Sequence, residues 1–121
     1  MKATDKGLKR ILKAFGYSYQ GFKAVIKSEA AFRQELVLCT VLSVVAFCLP
    51  VSLMTKLSLI NSLIIILLAE LINTAIETVI DRISAEYHEL SKKAKDIGSL
   101  VVLLAFIYTA IFWLTTLYEI F

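Results

Sequence analysis

Glu70-Leu71-Ile72-Asn73-Thr74-Ala75-Ile76-Glu77-Thr78-Val79-Ile80-Asp81-Arg82 is apolar enough for a bilayer, yet it carries carboxylates that a bilayer resists. At about 100° per residue, positions 70, 73, 74, 77 and 81 fall on one stripe of a helix. Glu70, Asn73, Thr74, Glu77 and Asp81 therefore share a face, while Leu71, Ile72, Ala75, Ile76, Val79 and Ile80 fill the rest of the circumference. The polar stripe must face protein or a wet cavity, and the apolar side must meet lipid or packed helices. A carboxylate at the bilayer centre costs about 2.5–3.5 kcal/mol on insertion scales, so two on one segment require a reason.

The surrounding chain fits that setting. It has 121 residues, is 59% hydrophobic and contains one Pro, which indicates a single small integral membrane domain over 1–121. A chain this short can hardly enclose a substrate pocket alone, so an enzyme built from it would place its site between protomers of an oligomer. The net charge is a modest +3, and no nucleic-acid partner is expected. Cys39 and Cys48 sit in one apolar run, where a disulfide within a helix is geometrically excluded. With one His and no Cys/His cluster, a zinc or iron ligand set is missing. The basic, amphipathic N-terminal region also lacks the pattern of a cleavable signal peptide.

From about residue 6 to 27, Leu8, Ile11, Leu12, Phe15, Tyr19, Phe22, Val25 and Ile26 recur at helical spacing among lysines and Arg10. This predicts a basic helix lying on the cytoplasmic leaflet, attracted by anionic headgroups. Gly7, Gly16 and Gly21 mark a break or a close backbone approach. Ser28 is a candidate N-cap for the next helix, and Glu29 and Arg33 are spaced for a surface ion pair.

Three apolar runs then predict membrane crossings over about 35–55, 57–80 and 97–118. Pro50 lies near the far end of the first, Lys56 can snorkel outward, and the turn is placed at Thr55 and Lys56. Asn61 faces away from Glu70 and is expected to hydrogen-bond between helices. Residues 81–96 read as the one long polar loop. Gly98 and Ser99 favour close packing, while Trp113 and Tyr118 suit the far interface. The expected fold is an all-α membrane protein with three transmembrane helices and one surface helix. Of the 13 Lys and Arg residues, eight precede the first crossing, one lies in the first turn, four lie in the second loop and none follow the third. The positive-inside rule puts the N-terminus and the 81–96 loop in the cytoplasm and the C-terminus outside.

In an upright helix, Glu77 lies about 6 Å and Glu70 about 16 Å deeper than Asp81. Glu70 and Glu77 are thus too far apart to chelate one ion and should have separate roles. Phosphoryl transfer suits this division, since it needs oxygen ligands for Mg²⁺, cations for phosphates and a carboxylate for the acceptor hydroxyl. Glu29 and Glu77 would hold metal, Lys95 and Arg10 would neutralise phosphate, and Glu70 would be the base. The sequence has neither a Walker A loop nor the protein-kinase signature set. These residues alone reach a lipid-facing acidic site of undetermined reaction, with a non-enzymatic polar helix-packing module as the alternative.

A resemblance narrows the choice. Ile11 to Gly21, Glu29 to Glu35, Glu70 to Glu77, Asp81-Arg82-Ile83, Glu86 to Ser91 and Ala94 to Ser99 are together similar to the prokaryotic diacylglycerol kinases, small membrane enzymes unrelated to soluble kinases. The resemblance runs nearly end to end. It implies a homotrimeric helical bundle in the bacterial inner membrane, with sites shared between protomers, which transfers the γ-phosphoryl of MgATP to diacylglycerol. It places Glu70 as general base, Glu29 and Glu77 as Mg²⁺ carboxylates, and Asn73 in support. Arg10, Tyr17, Glu29, Glu77, Glu86, Tyr87, His88, Lys95 and Asp96 match nucleotide-contacting positions. Arg10, Ala14, Ala31, Phe32, Arg33, Gln34, Glu35, Glu70 and Ser99 match lipid-contacting ones. Ser84 and Lys92 stand where the family pattern has glycine. A sister branch phosphorylates undecaprenol, but the Glu29 to Glu35 stretch looks more like the diacylglycerol branch.

Overall fold

The computed structural model describes residues 6–121. Its helices are α1 (Gly7–Ser28), α2 (Ala30–Cys48), α3 (Leu53–Ile83) and α4 (Glu89–Ile120), with no strand among the described residues. The N-terminus itself lies outside the described residues. α2, α3 and α4 are each long and apolar enough to cross a membrane.

α1 buries only Val25 and leaves Leu8, Ile11, Leu12, Phe15, Tyr19 and Phe22 exposed. A helix with so much uncovered apolar surface suits an interface between water and lipid. Gly7 has φ +61, which a glycine adopts without strain, and the helix starts there. The other two glycines mark neither a break nor a close approach: α1 runs on through Gly16 and Gly21, where an added Cβ would meet open space.

Glu29 alone separates α1 from α2, with extended backbone at φ −114 and ψ 101. Ser28 is therefore the last residue of α1 and not the N-cap of α2. Glu29 N–H donates to Val25 O at 2.9 Å, and Arg33 N–H donates to Glu29 O at 3.2 Å. Arg33 also departs from expectation. Its guanidinium turns back from Glu29, and Nη1 donates to Ile26 O at 2.6 Å and Lys27 O at 3.2 Å. A helix leaves its last carbonyls without partners, and a nearby cation satisfies them while opposing the helix dipole. Phe22 and Phe32 meet edge to face beside this joint, with ring centroids 6.5 Å apart. Arg33→Ala should thus weaken amide hydrogen-exchange protection in the last turns of α1 by about 1 kcal/mol, leaving α3 and α4 unchanged.

The turn after α2 comes earlier than its hydropathy implies. α2 stops at Cys48, Pro50 lies beyond it, and Thr55 and Lys56 belong to the first turn of α3. Ser52 starts that helix as its N-cap, accepting from Thr55 N–H at 3.2 Å. The expected 81–96 loop also contracts. α3 continues to Ile83 and α4 begins at Glu89, so only residues 84–88 connect them. At about 1.5 Å per residue, α2 with 19 residues is about 28 Å long, whereas α3 with 31 and α4 with 32 reach about 46 and 48 Å. A hydrocarbon core is about 30 Å thick, so α3 and α4 have several turns to spare for a polar extension.

α3 and α4 form the main packed pair, with Ile66, Ala69 and Ala105 at the centre and Ile65, Val101 and Val102 around them. Small residues let these backbones approach closely. Thr109 Oγ1 lies 2.9 Å from both Ser62 O and Ala105 O. Cys39 Sγ, from α2, donates to Leu63 O at 3.8 Å. Asn61 was the expected interhelical link, but it is exposed, and Ser62 and Thr109 make that contact instead. Trp113 is half-buried with Nε1 unpartnered among the described residues, and Tyr118 is exposed.

Candidate active site

The stripe on α3 is set by the helix period and the packing of α4. Glu70, Asn73, Thr74 and Glu77 are half-buried, Asp81 is exposed, and Leu71, Ile72 and Val79 point outward. From its rim inward the stripe carries three distinct arrangements.

At the rim, Lys95 Nζ donates to Asp81 Oδ1 at 2.8 Å, joining α4 to α3. Glu77, one turn back along α3, adds its negative field at the same ammonium. An open cavity of about 460 Å³ is lined here by Asp81, Glu86, Tyr87, His88, Lys95 and Asp96. Five of these are expected nucleotide contacts, and Asp81 is the one not so assigned. Local hydrogen bonds shape the cavity wall. His88 is the N-cap of α4, its Nδ1 accepting from Leu90 N–H at 3.1 Å. That bond requires an unprotonated Nδ1 and turns Nε2 to the other side of the ring. Ser84 Oγ accepts from Glu86 N–H at 3.0 Å, and Lys92 Nζ donates to Asp96 Oδ2 at 2.6 Å. The two departures from the glycine pattern thus have local work: Ser84 fastens the turn, and Lys92 holds Asp96.

In the middle, Asn73 Nδ2 donates to Glu77 Oε1 at 2.9 Å. Gly98 of α4 is buried against the same amide, and Ser99 beside it is exposed.

At the inner end, Glu35 of α2 interacts with Glu70 of α3. Glu35 Oε2 is buried without a hydrogen-bond partner in the chain. An apolar cavity of about 280 Å³ runs from Glu35 past Cys39, Ile66 and Thr109 to Trp113. The pairing of Glu35 with Glu70 is absent from residue-by-residue reading, because the two acids sit on different helices. The signal available was the placement of Glu35 at the mouth of the first apolar run.

The remaining expected site residues stand apart within one chain. Arg10, Ala14 and Tyr17 lie on the exposed length of α1, and among the described residues no hydrogen bond or ion pair ties them to α3 or α4. Glu29 is half-buried at the α1–α2 joint; Ala31 and Gln34 are exposed, and Phe32 is buried. Among the described residues no three His, Cys, Asp or Glu side chains form a metal-binding group. Glu77, half-buried with one oxygen held by Asn73, is a donor of the kind Mg²⁺ takes, commonly as one or two carboxylates together with substrate phosphates.

The sequence profile of the prokaryotic diacylglycerol kinases matches residues 16–117. The chain is 47% identical over 119 residues to the diacylglycerol kinase of Escherichia coli strain K12, covering 98% of each. It is 48% identical over 111 residues to the diacylglycerol kinase of Pseudomonas aeruginosa, covering 92% of this chain and 90% of that one. Over 107 residues it is 40% identical to the Haemophilus influenzae diacylglycerol kinase, covering 88% and 91%.

Proposed function

The chain belongs to the prokaryotic diacylglycerol kinase family and is a membrane-bound diacylglycerol kinase, and from that premise we propose how its residues divide the reaction. The γ-phosphoryl of MgATP passes to the free hydroxyl of diacylglycerol, giving phosphatidic acid and ADP. Glu70 takes the hydroxyl proton as the oxygen attacks the γ-phosphorus and the bond to the ADP oxygen breaks. Glu77 and Glu29 would hold Mg²⁺, which would supply positive charge against the negative charge building on the phosphates. Lys95 supplies a fixed cation to the phosphates, while Glu86, Tyr87, His88 and Asp96 receive the rest of the nucleotide.

The observation that carries this reading is the grading of the α3 stripe. Its exposed end borders the cavity with Lys95, and its other end holds Glu70 against Glu35 beside an apolar cavity. A water-soluble donor and a lipid acceptor approach a site from opposite directions, and the stripe offers polar groups along that path. Arg10, Ala14, Tyr17 and Glu29 stand apart from that site within one chain and would reach it in a neighbouring protomer of a homotrimer with shared sites. Bilayer lipid covers the apolar faces. The basic α1 and the 84–88 connection lie on the cytoplasmic side of the bacterial inner membrane, and the C-terminus faces outward.

Purified protein in mixed micelles with labelled ATP and Mg²⁺ should label diacylglycerol strongly and undecaprenol weakly. Preferential labelling of undecaprenol would move the acceptor to the sister branch, and label in neither lipid would remove the kinase reading.

A further inference from the structure

Asn73 Nδ2 donates to Glu77 Oε1 at 2.9 Å. An ionised carboxylate only accepts, so the amide must turn its NH₂ toward Glu77 and its oxygen away. That oxygen, Asn73 Oδ1, is buried with no hydrogen-bond partner. It points at α4, where Gly98 receives it. A Cβ on Gly98 would overlap Asn73 Oδ1, and would come to 3.4 Å from Asn73 Cγ and 3.6 Å from Ile76 Cδ1. Gly98 lies inside α4 with no positive φ, so its backbone conformation does not demand glycine. The demand is for space.

We propose that Gly98 is a positioning residue for phosphoryl transfer: its missing side chain seats the Asn73 amide, which in turn holds Glu77 in its metal-binding orientation. The proposal rests on the reading of Glu77 as a Mg²⁺ carboxylate. Asn73 occupies one Glu77 oxygen and thereby fixes the plane of the carboxylate, leaving Oε2 outside that bond. Groups that orient a metal-binding carboxylate in this way commonly change metal affinity or activity by about 10- to 100-fold when altered. The first atoms an alanine at 98 would strike belong to the end of a side chain and not to the backbone. The amide can therefore rotate away while α3 and α4 stay packed, and Glu77 loses its donor without loss of the fold.

The test uses Gly98→Ala, Asn73→Ala and the double variant of the full chain in mixed micelles. Mn²⁺ binding in the presence of a non-hydrolysable ATP analogue is followed by electron paramagnetic resonance, and turnover is measured against Mg²⁺ concentration. Gly98→Ala should weaken Mn²⁺ binding about 10- to 100-fold and raise the Mg²⁺ requirement in parallel, with the oligomer eluting unchanged. In the Asn73→Ala background the same substitution should change neither quantity, because no amide remains to be displaced. Parent Mn²⁺ affinity in Gly98→Ala, or effects that add in the double variant, would overturn the proposal. If Gly98→Ala fails to assemble, restored assembly in the double variant supports the steric link, and continued failure overturns it. Glu77→Gln separates the premise from the proposal. Undiminished Mn²⁺ affinity there removes the metal role of Glu77, whereas a loss there with none in Gly98→Ala removes only the positioning role.

Discussion

Glu70→Gln is expected to lower kcat by about 10²- to 10⁴-fold, the range associated with removing a general base. Glutamine keeps the shape of the side chain, so the packing of α2 against α3 persists. The lost property is the ability to accept the proton of the attacking hydroxyl. Helix content and elution volume should therefore match the parent, and the KM for MgATP should change little because Glu70 lies at the inner end of the stripe. Radiolabel transfer to diacylglycerol under saturating ATP measures the effect. Near-parental turnover would remove Glu70 as base and shift attention to Glu35, the neighbouring acid on α2.

Lys95→Met should reduce kcat/KM for MgATP by about 10²- to 10³-fold, as expected when a preorganised cation is taken from a transferring phosphoryl group. Loss of stability does not explain such an effect. The Lys95 and Asp81 side chains are 43% and 66% exposed, and solvent-screened surface pairs of this kind contribute little to stability. Thermal unfolding in micelles should accordingly move little, while the KM for diacylglycerol stays near its parental value. A uniform loss of both acceptor and nucleotide binding would instead identify Lys95 as a structural clamp between α3 and α4.

The all-α architecture, its three candidate crossings and the shared polar face of α3 were legible in the sequence. Apolar runs of about 20 residues report bilayer thickness, and helical periodicity reports faces. Helix ends were harder. Glu89 to Asp96 are polar and helical at once, because an extended transmembrane helix outside the hydrocarbon core no longer needs apolar residues. Leu49 to Leu53 keep the hydropathy high through a turn, and the better signal was Pro50 followed by the Ser52 cap. In the site, the order of Asp81, Glu77 and Glu70 along the helix could be read from rise alone. The contacts of Arg33 with Ile26 and Lys27, of Glu35 with Glu70, and of Asn73 with Gly98 could not. Each depends on the angle or separation of two helices, which no local pattern encodes.

The one-residue joint at Glu29 also has a mechanical meaning. A single residue offers two soft backbone torsions, so the angle between α1 and α2 is set within Glu29 itself. α1 is amphipathic and α2 is long and apolar enough to cross a bilayer, so a change in hydrocarbon thickness would alter the angle between them. That change of angle falls on the backbone of one residue, the same residue that carries the carboxylate proposed for the metal.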